Sequence, residues 1–251
     1  FDCLIMQHAE DLELSKDGMI NDGIISTKLG IPGISDLAEK IIIERDLSLL
    51  EETNCRYHIS QISSRKSLDL KNYKKDIVNF TTGVSINNLS LNENDIGDFR
   101  TFLKLSPPLR TEEDRVSLVK AINKGLIDVI VSDHKPEDEE SKRLTFSQAA
   151  TGASGIETLL ALSLELFHNG SVKLFKLIEL LTNNPAKILK INKGNLSVGN
   201  DADFCIVDIY KPWIVKKEKI ISKSKNTCIE EKKLQGLVTN TFVKGEELFK
   251  I

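Results

Sequence analysis

Short apolar runs alternate with longer stretches of helical period through roughly the first two hundred residues. That alternation is the pattern of repeated β/α units, and it commits the chain to an α/β fold with a parallel sheet. "CLIM" (3–6) predicts a first strand, and "CRYHIS" and "IVNFTT" two more, separated by a polar helix around "SRKSLDLKNYKKD". A helix is predicted over Leu37–Leu50, where Leu37, Ile41 and Ile42 recur at helical spacing. Thr111, with Asp114 three residues on, is expected to open another in the capping-box manner, running through "DRVSLVKAIN" to a stop near Gly125. "LIDVIVS" predicts the next strand. Beyond it, "GIETLLALSLELFHNG" reads as a long buried helix, with "LFKLIELL" and "PAKILKI" as shorter ones, the last begun by Pro185. From Gly194 onward the chain changes to short strands punctuated by Gly and Asn, so a barrel portion over 1–190 and a small β-rich domain over 191–251 are expected.

At 251 residues, 40% hydrophobic and 28% charged, the chain can bury a large core. A net charge of -3 supplies no basic field for nucleic acid or an anionic membrane, so neither is expected as a partner. The four cysteines are widely spaced, with no Cys-x-x-Cys, which fits a reducing cytoplasm. The opening "FDCLIMQH" lacks an initiator Met and lies inside an apolar run, so the sequence is expected to start mid-domain.

Three apolar runs end in a metal-competent residue: "CLIMQH" at His8, "CRYH" at His58 and "VIVSD" at Asp133. In a β/α barrel the carboxyl ends of the strands meet at one face, which builds the active site. Two imidazoles and a carboxylate are suitable donors to zinc, and such a carboxylate can also move a proton. Each residue has a plainer explanation, since either His can be an ordinary hydrogen-bonded residue and Asp133 a helix cap. "EDEES" reads as a solvated loop, and His168 as a helix C-terminal residue facing the dipole. "SPPLR" (106–110) reads as a rigid turn that aims Ser106 and Arg110. "ATGASG" (150–155) either offers backbone N–H groups to a ligand or is a small-residue packing site.

"HAEDLEL", "HISQIS", "KLSPPLRTEEDR", "VIVSDHKPED", "KRLTFSQAATGASGIETLL", "NNPAKIL" and "GNLSVGNDADFCIVD" occur in the order seen in dihydroorotases of the amidohydrolase superfamily. The chain resembles the C-terminal part of the bacterial form over essentially its whole length. "SDH" and "ADF" alone would point to cyclic amidohydrolases in general, while "KLSPPLR" and "HAED" favour dihydroorotase. The resemblance implies part of a TIM-type (β/α)8 barrel, its N-terminal strands missing, with a small C-terminal β appendage. It implies zinc, one ion or two, and the reversible cyclisation of N-carbamoyl-L-aspartate to dihydroorotate in pyrimidine biosynthesis.

By the same resemblance, His8 and His58 are the metal-binding histidines ending the fifth and sixth barrel strands, and Asp133 follows the eighth, touching the metal and shuttling the proton. Ser106 stands where many members have a substrate-contacting Asn, and Thr151 and Gly152 where backbone groups hold the ring carbonyl. Glu137 replaces a His that helps bind substrate in many members, which leaves room for a shifted specificity. The family's His-x-His-x-Arg segment would lie upstream of Phe1, so the chain alone is expected to be inactive. Two further readings stand beside this one: a silent homologue supporting aspartate transcarbamoylase, and a hydantoinase- or allantoinase-like hydrolase. A small-molecule substrate, a homodimer and aspartate transcarbamoylase are the partner expectations.

Overall fold

The computed structural model describes residues 2–74 and 79–251. The chain divides into two compact units, Phe1–Ile156 with Ser222–Cys228, and Glu157–Ile221 with Ile229–Ile251.

The first unit opens with β1 (Leu4–Gln7), then β2 (Ile20–Asn21), α1 (Ile24–Leu29) and β3 (Gly33–Ile34), followed by α2 (Leu37–Thr53), β4 (Arg56–Ile59) and α3 (Arg65–Lys74). It continues through β5 (Phe80–Ser85), α4 (Ile86–Ser90), α5 (Glu112–Asn123), β6 (Val129–Val131) and α6 (Glu139–Arg143). Strands β1, β4, β5 and β6 form one parallel sheet in that order, with Met6 opposite His58, His58 opposite Thr81, and Ser85 opposite Val131. Parallel strands joined by crossovers all finish at one edge, so Gln7, Ile59, Ser85 and Val131 share it. β5 is buried along nearly its whole length, as expected of a strand covered on both faces, whereas Ile5 and Met6 of β1 are exposed.

The predicted strands at "CLIM", "CRYHIS" and "LIDVIVS" correspond to β1, β4 and β6. The strand predicted over "IVNFTT" is β5 from Phe80 on; Ile77 and Val78, like Lys75 and Asp76 of the preceding predicted helix, lie outside the described residues. Helix α2 buries Ala38, Ile42, Ile43, Leu47 and Leu50, a stripe offset from Leu37 and Ile41, which are both exposed. Thr111 caps α5 by accepting from the Asp114 N–H at 3.1 Å. The Asp114 carboxylate, however, takes the Thr111 hydroxyl at 2.6 Å and the Arg65 N–H at 2.8 Å instead of returning to the Thr111 backbone. "EDEES" is not all loop: Asp138 accepts from the Ser141 N–H at 2.8 Å and starts α6, whose Glu139 and Glu140 face solvent while Lys142 is buried. The short pair β2 and β3 went unpredicted, because two-residue strands carry no readable period.

The second unit holds α7 (Leu159–His168), α8 (Leu174–Leu181), α9 (Asn183–Leu189) and an antiparallel sheet of β7 (Phe204–Ile214), β8 (Lys233–Val243) and β9 (Glu246–Lys250). Its first two strands run to 11 residues each, longer than the short strands expected, with register shifts that let them bend. His168 ends α7 as expected and stacks on Tyr210, ring centroids 5.7 Å apart. Among the described residues no helix is long and apolar enough to cross a membrane.

Cysteine chemistry gives a first check on packing. Cys3 and Cys205 are exposed, whereas Cys228 is buried with its Sγ donating to the Phe102 carbonyl, and burial pushes its thiol up to about 12. Ellman's reagent should therefore label Cys3 and Cys205 in the native chain and reach Cys228 only after denaturant is added. Peptide mapping that finds Cys228 labelled without denaturant would contradict this packing.

Candidate active site

Asp133 stands two residues past the end of β6 and adopts the left-handed conformation, φ 49°. One oxygen of its carboxylate accepts from Gln61 Nε2 at 2.9 Å, and the other from Ser85 Oγ at 3.2 Å. Gln61 lies just past β4 and Ser85 ends β5, so the carboxylate is held at the carboxyl edge of the sheet by the adjacent strand β5 and by the segment that follows β4, one strand further in.

His58 sits within β4, buried, with Nδ1 2.8 Å from Thr81 Oγ1 on the adjacent strand. Burial lowers its pKa and keeps the imidazole neutral, the state in which it can ligate a metal. Gly83 of β5 makes room beside it. A Cβ there would stand 2.2 Å from the Ser60 carbonyl oxygen and 3.4 Å from His58 Nε2, so the strand can pass only without a side chain.

His8 lies one residue beyond β1, and strand alternation puts it on the face of Met6, the partner of His58. Its Nε2 is 3.0 Å from Ser106 Oγ and 3.5 Å from Glu10 Oε2, and the Ser106 hydroxyl donates to Glu10 at 3.3 Å. Glu10 raises the His8 pKa against the opposing effect of burial, and His8 in turn lowers that of Glu10. The "SPPLR" segment thus brings Ser106 to His8. Arg110 goes elsewhere, into a buried network: Nε donates to Ser63 Oγ at 3.0 Å, and Nη1 donates to Asn21 Oδ1 at 2.9 Å and to the Ile34 carbonyl at 2.6 Å. Ser63 in turn meets buried Glu39, and Asn21 donates to buried Glu93 at 2.7 Å.

The loop after Asp133 is paired with "ATGASG". His134 bridges to Ala153, the Lys135 N–H donates to the Ala153 carbonyl at 2.9 Å, and His134 Nδ1 accepts from the Gly155 and Ile156 amides at 3.2 and 3.3 Å. At Gly152, φ +139°, a Cβ would lie 2.5 Å from the Lys135 carbonyl oxygen, so the two segments pack backbone to backbone. Segment 222–228 covers them: the Ser224 hydroxyl donates to the Glu137 carbonyl, and Asn226 Oδ1 accepts from the Glu137 N–H at 3.4 Å. The Gly152 N–H donates to the Lys104 carbonyl at 2.9 Å, and its own carbonyl accepts from Lys142 Nζ at 2.9 Å and Asn226 Nδ2 at 3.2 Å.

Sequence reasoning singled out His8, His58, Ser106, Asp133, Glu137, Thr151 and Gly152, and it passed over Gln61, Ser85, His134, Lys142 and Asn226. Gln61 and Ser85 each stand just after or at the end of a predicted strand, a position that could have drawn attention to them. Nothing in the sequence brings Asn226 near Gly152, 74 residues away. Two imidazoles, one of them held neutral, and a carboxylate are the right donors for zinc. Among the described residues, however, no three His, Cys, Asp or Glu side chains are grouped closely enough to hold an ion.

Comparison with known proteins bears on this geometry. Residues 2–248 match the description "Amidohydrolase family". A dihydroorotase from Ehrlichia chaffeensis is 42% identical over 251 residues, covering 99% of this chain and 56% of its own length. One from a Thermoanaerobacter species is 38% identical over 252 residues, covering 100% of this chain and 58% of its own. Among solved structures, the L-hydantoinase (dihydropyrimidinase) from Arthrobacter aurescens superposes with a TM-score of 0.87 at 25% identity, over 99% of this chain and 57% of that one. The chain spans about half the length of the relatives it matches. Its parallel sheet and flanking helices are therefore a portion of a TIM-type amidohydrolase barrel, as the sequence led us to expect.

Proposed function

Because the chain belongs to the amidohydrolase family, we propose that it carries the C-terminal part of a dihydroorotase, a hydrolase acting on a cyclic amide. The protein would interconvert N-carbamoyl-L-aspartate and dihydroorotate in the cytoplasm, for pyrimidine synthesis. The observation that carries this reading is the Asp133 carboxylate, held by Gln61 and Ser85 at the edge where four parallel strands end. Identity near 40% to proteins named dihydroorotase supports the choice of substrate.

In this reading His8, His58 and Asp133 would hold zinc, which when bound supplies Lewis acidity and lowers the pKa of water. Asp133 holds the proton and passes it to the ring nitrogen during opening, and takes it back during closure. Ser85 and Gln61 keep its carboxylate from turning away. Ser106 and the turn at Thr151 and Gly152 orient the substrate, with Glu137 at the rim. The barrel portion would extend over 1–190 and the small β-rich domain over 191–251.

The structural likeness to an L-hydantoinase favours a second reading, in which another cyclic ureide is opened. The full reading frame containing this chain, assayed on dihydroorotate, hydantoin and allantoin, separates the two. We expect turnover of dihydroorotate that a chelator abolishes and added zinc restores. Turnover of hydantoin with none of dihydroorotate would establish the second reading, and no turnover of any of the three would overturn both.

A further inference from the structure

Lys142 is buried to within 2% of complete, yet among the described residues no carboxylate lies within ion-pair distance of it. Burying an unpaired ammonium is costly, and burial pulls this one down to about 8. Its contacts show what the ammonium holds. Nζ donates to the Ala150 carbonyl at 2.7 Å and to the Gly152 carbonyl at 2.9 Å, the two carbonyls that flank Thr151.

A trans peptide sets its N–H opposite its C=O. With the Ala150 carbonyl turned toward Lys142, the Thr151 N–H of the same peptide points away from it. The next residue is held as firmly, since the Gly152 N–H is taken by the Lys104 carbonyl and the Gly152 carbonyl is shared with Asn226. Lys104 itself is buried and donates from Nζ to the carbonyls of Phe146, Ser147 and Ala149 at 2.9 to 3.0 Å, so two lysines grip the segment leading into the turn. Among the described residues nothing bonds to the Thr151 N–H. The turn also lies beside the loop that leaves Asp133, through the pairing of Ala153 with His134 and Lys135.

We propose that Lys142 is a positioning residue that clamps the carbonyls of Ala150 and Gly152 so that the Thr151 N–H, rather than any group of Gly152, is presented to a carbonyl of the bound substrate. The inference rests on the dihydroorotase reading and narrows it, because it selects one backbone donor at this turn. A donor aimed at a non-reacting carbonyl binds substrate and transition state alike, so its loss raises KM and leaves kcat nearly unchanged.

The test uses the full reading frame with Lys142→Met, which removes the donor at similar length, and Thr151→Pro, which deletes the N–H. Each is expected to raise KM for dihydroorotate roughly tenfold, the scale of one hydrogen bond, with kcat far less affected. The double variant should be no worse than the poorer single one, because both act through the same N–H. A purely structural lysine would lower stability without that shared KM effect. Unchanged KM in either variant, a fall confined to kcat, or fully additive losses would overturn the inference while the wild type still turns over. Should one variant fail to fold, the KM of the other decides alone. A wild type with no turnover of dihydroorotate overturns the functional reading and this inference with it.

Discussion

Under the proposed dihydroorotase function, Asp133→Asn in the full-length protein is expected to lower kcat for dihydroorotate by roughly 10²- to 10⁴-fold, the range of a lost general acid–base, with little change in stability. The substitution keeps the volume of the side chain. Asn tolerates the left-handed backbone at this position as well as Asp does, so φ 49° introduces no new strain. Its amide oxygen can still accept from Gln61 Nε2 or Ser85 Oγ, which keeps the carboxyl edge of β4 and β5 in place. What disappears is the anionic oxygen able to take a proton and to serve as a metal donor. Steady-state kinetics beside a thermal melt would separate the two effects. A variant that retains kcat within about tenfold while melting normally would remove Asp133 from proton transfer.

Arg110→Met should destabilise the chain by about 3–5 kcal/mol, the cost of breaking a buried charged network by removing one partner. The guanidinium donates to Ser63 Oγ, Asn21 Oδ1 and the Ile34 carbonyl, and all three would be left buried with one bond fewer. Ser63 and Asn21 connect it to the carboxylates of Glu39 and Glu93, which are buried as well. Removing the cation therefore takes a donor from Ser63 and Asn21, the two groups through which it reaches the buried Glu39 and Glu93 side chains. The network also joins the end of β3, the start of α3 and the proline turn that carries Ser106, so its loss would loosen the approach to His8. Urea titration of wild type and variant reads the difference as a shift in midpoint. A loss below about 1 kcal/mol would mean that water enters and satisfies these groups, and the network would not be a structural keystone.

Both expectations rest on different levels of legibility. The strands that carry His8, His58 and Asp133 could be read directly, because a short apolar run is a local signal, but their ends could not be read to the residue: β4 runs one residue past His58, and β1 and β6 stop one and two residues before His8 and Asp133. The cap at Thr111 was equally local, its partner Asp114 being three residues away. Arg110 could not be assigned that way. Its sequence neighbours suggested a rigid turn that aims the side chain but gave no direction for it, and the structure buries it among groups 47 to 89 residues distant. The exposed Leu37 and Ile41 make a similar point: helical spacing identified α2, but which stripe faces inward depends on where the sheet lies.

The amino-acid sequence by itself determined the α/β class, the order of the main strands and helices, and the residues that stand near strand ends, because periodicity, caps and apolar run length are written within a few residues of one another. Only the tertiary structure decided which partners those residues meet. Gln61 and Ser85 on Asp133, Asn226 on Gly152, and Lys142 on the carbonyls around Thr151 are set by parallel register and loop packing. The physical reason is that a hydrogen bond selects for distance and direction, and between segments far apart in the chain both are fixed only once the core has formed.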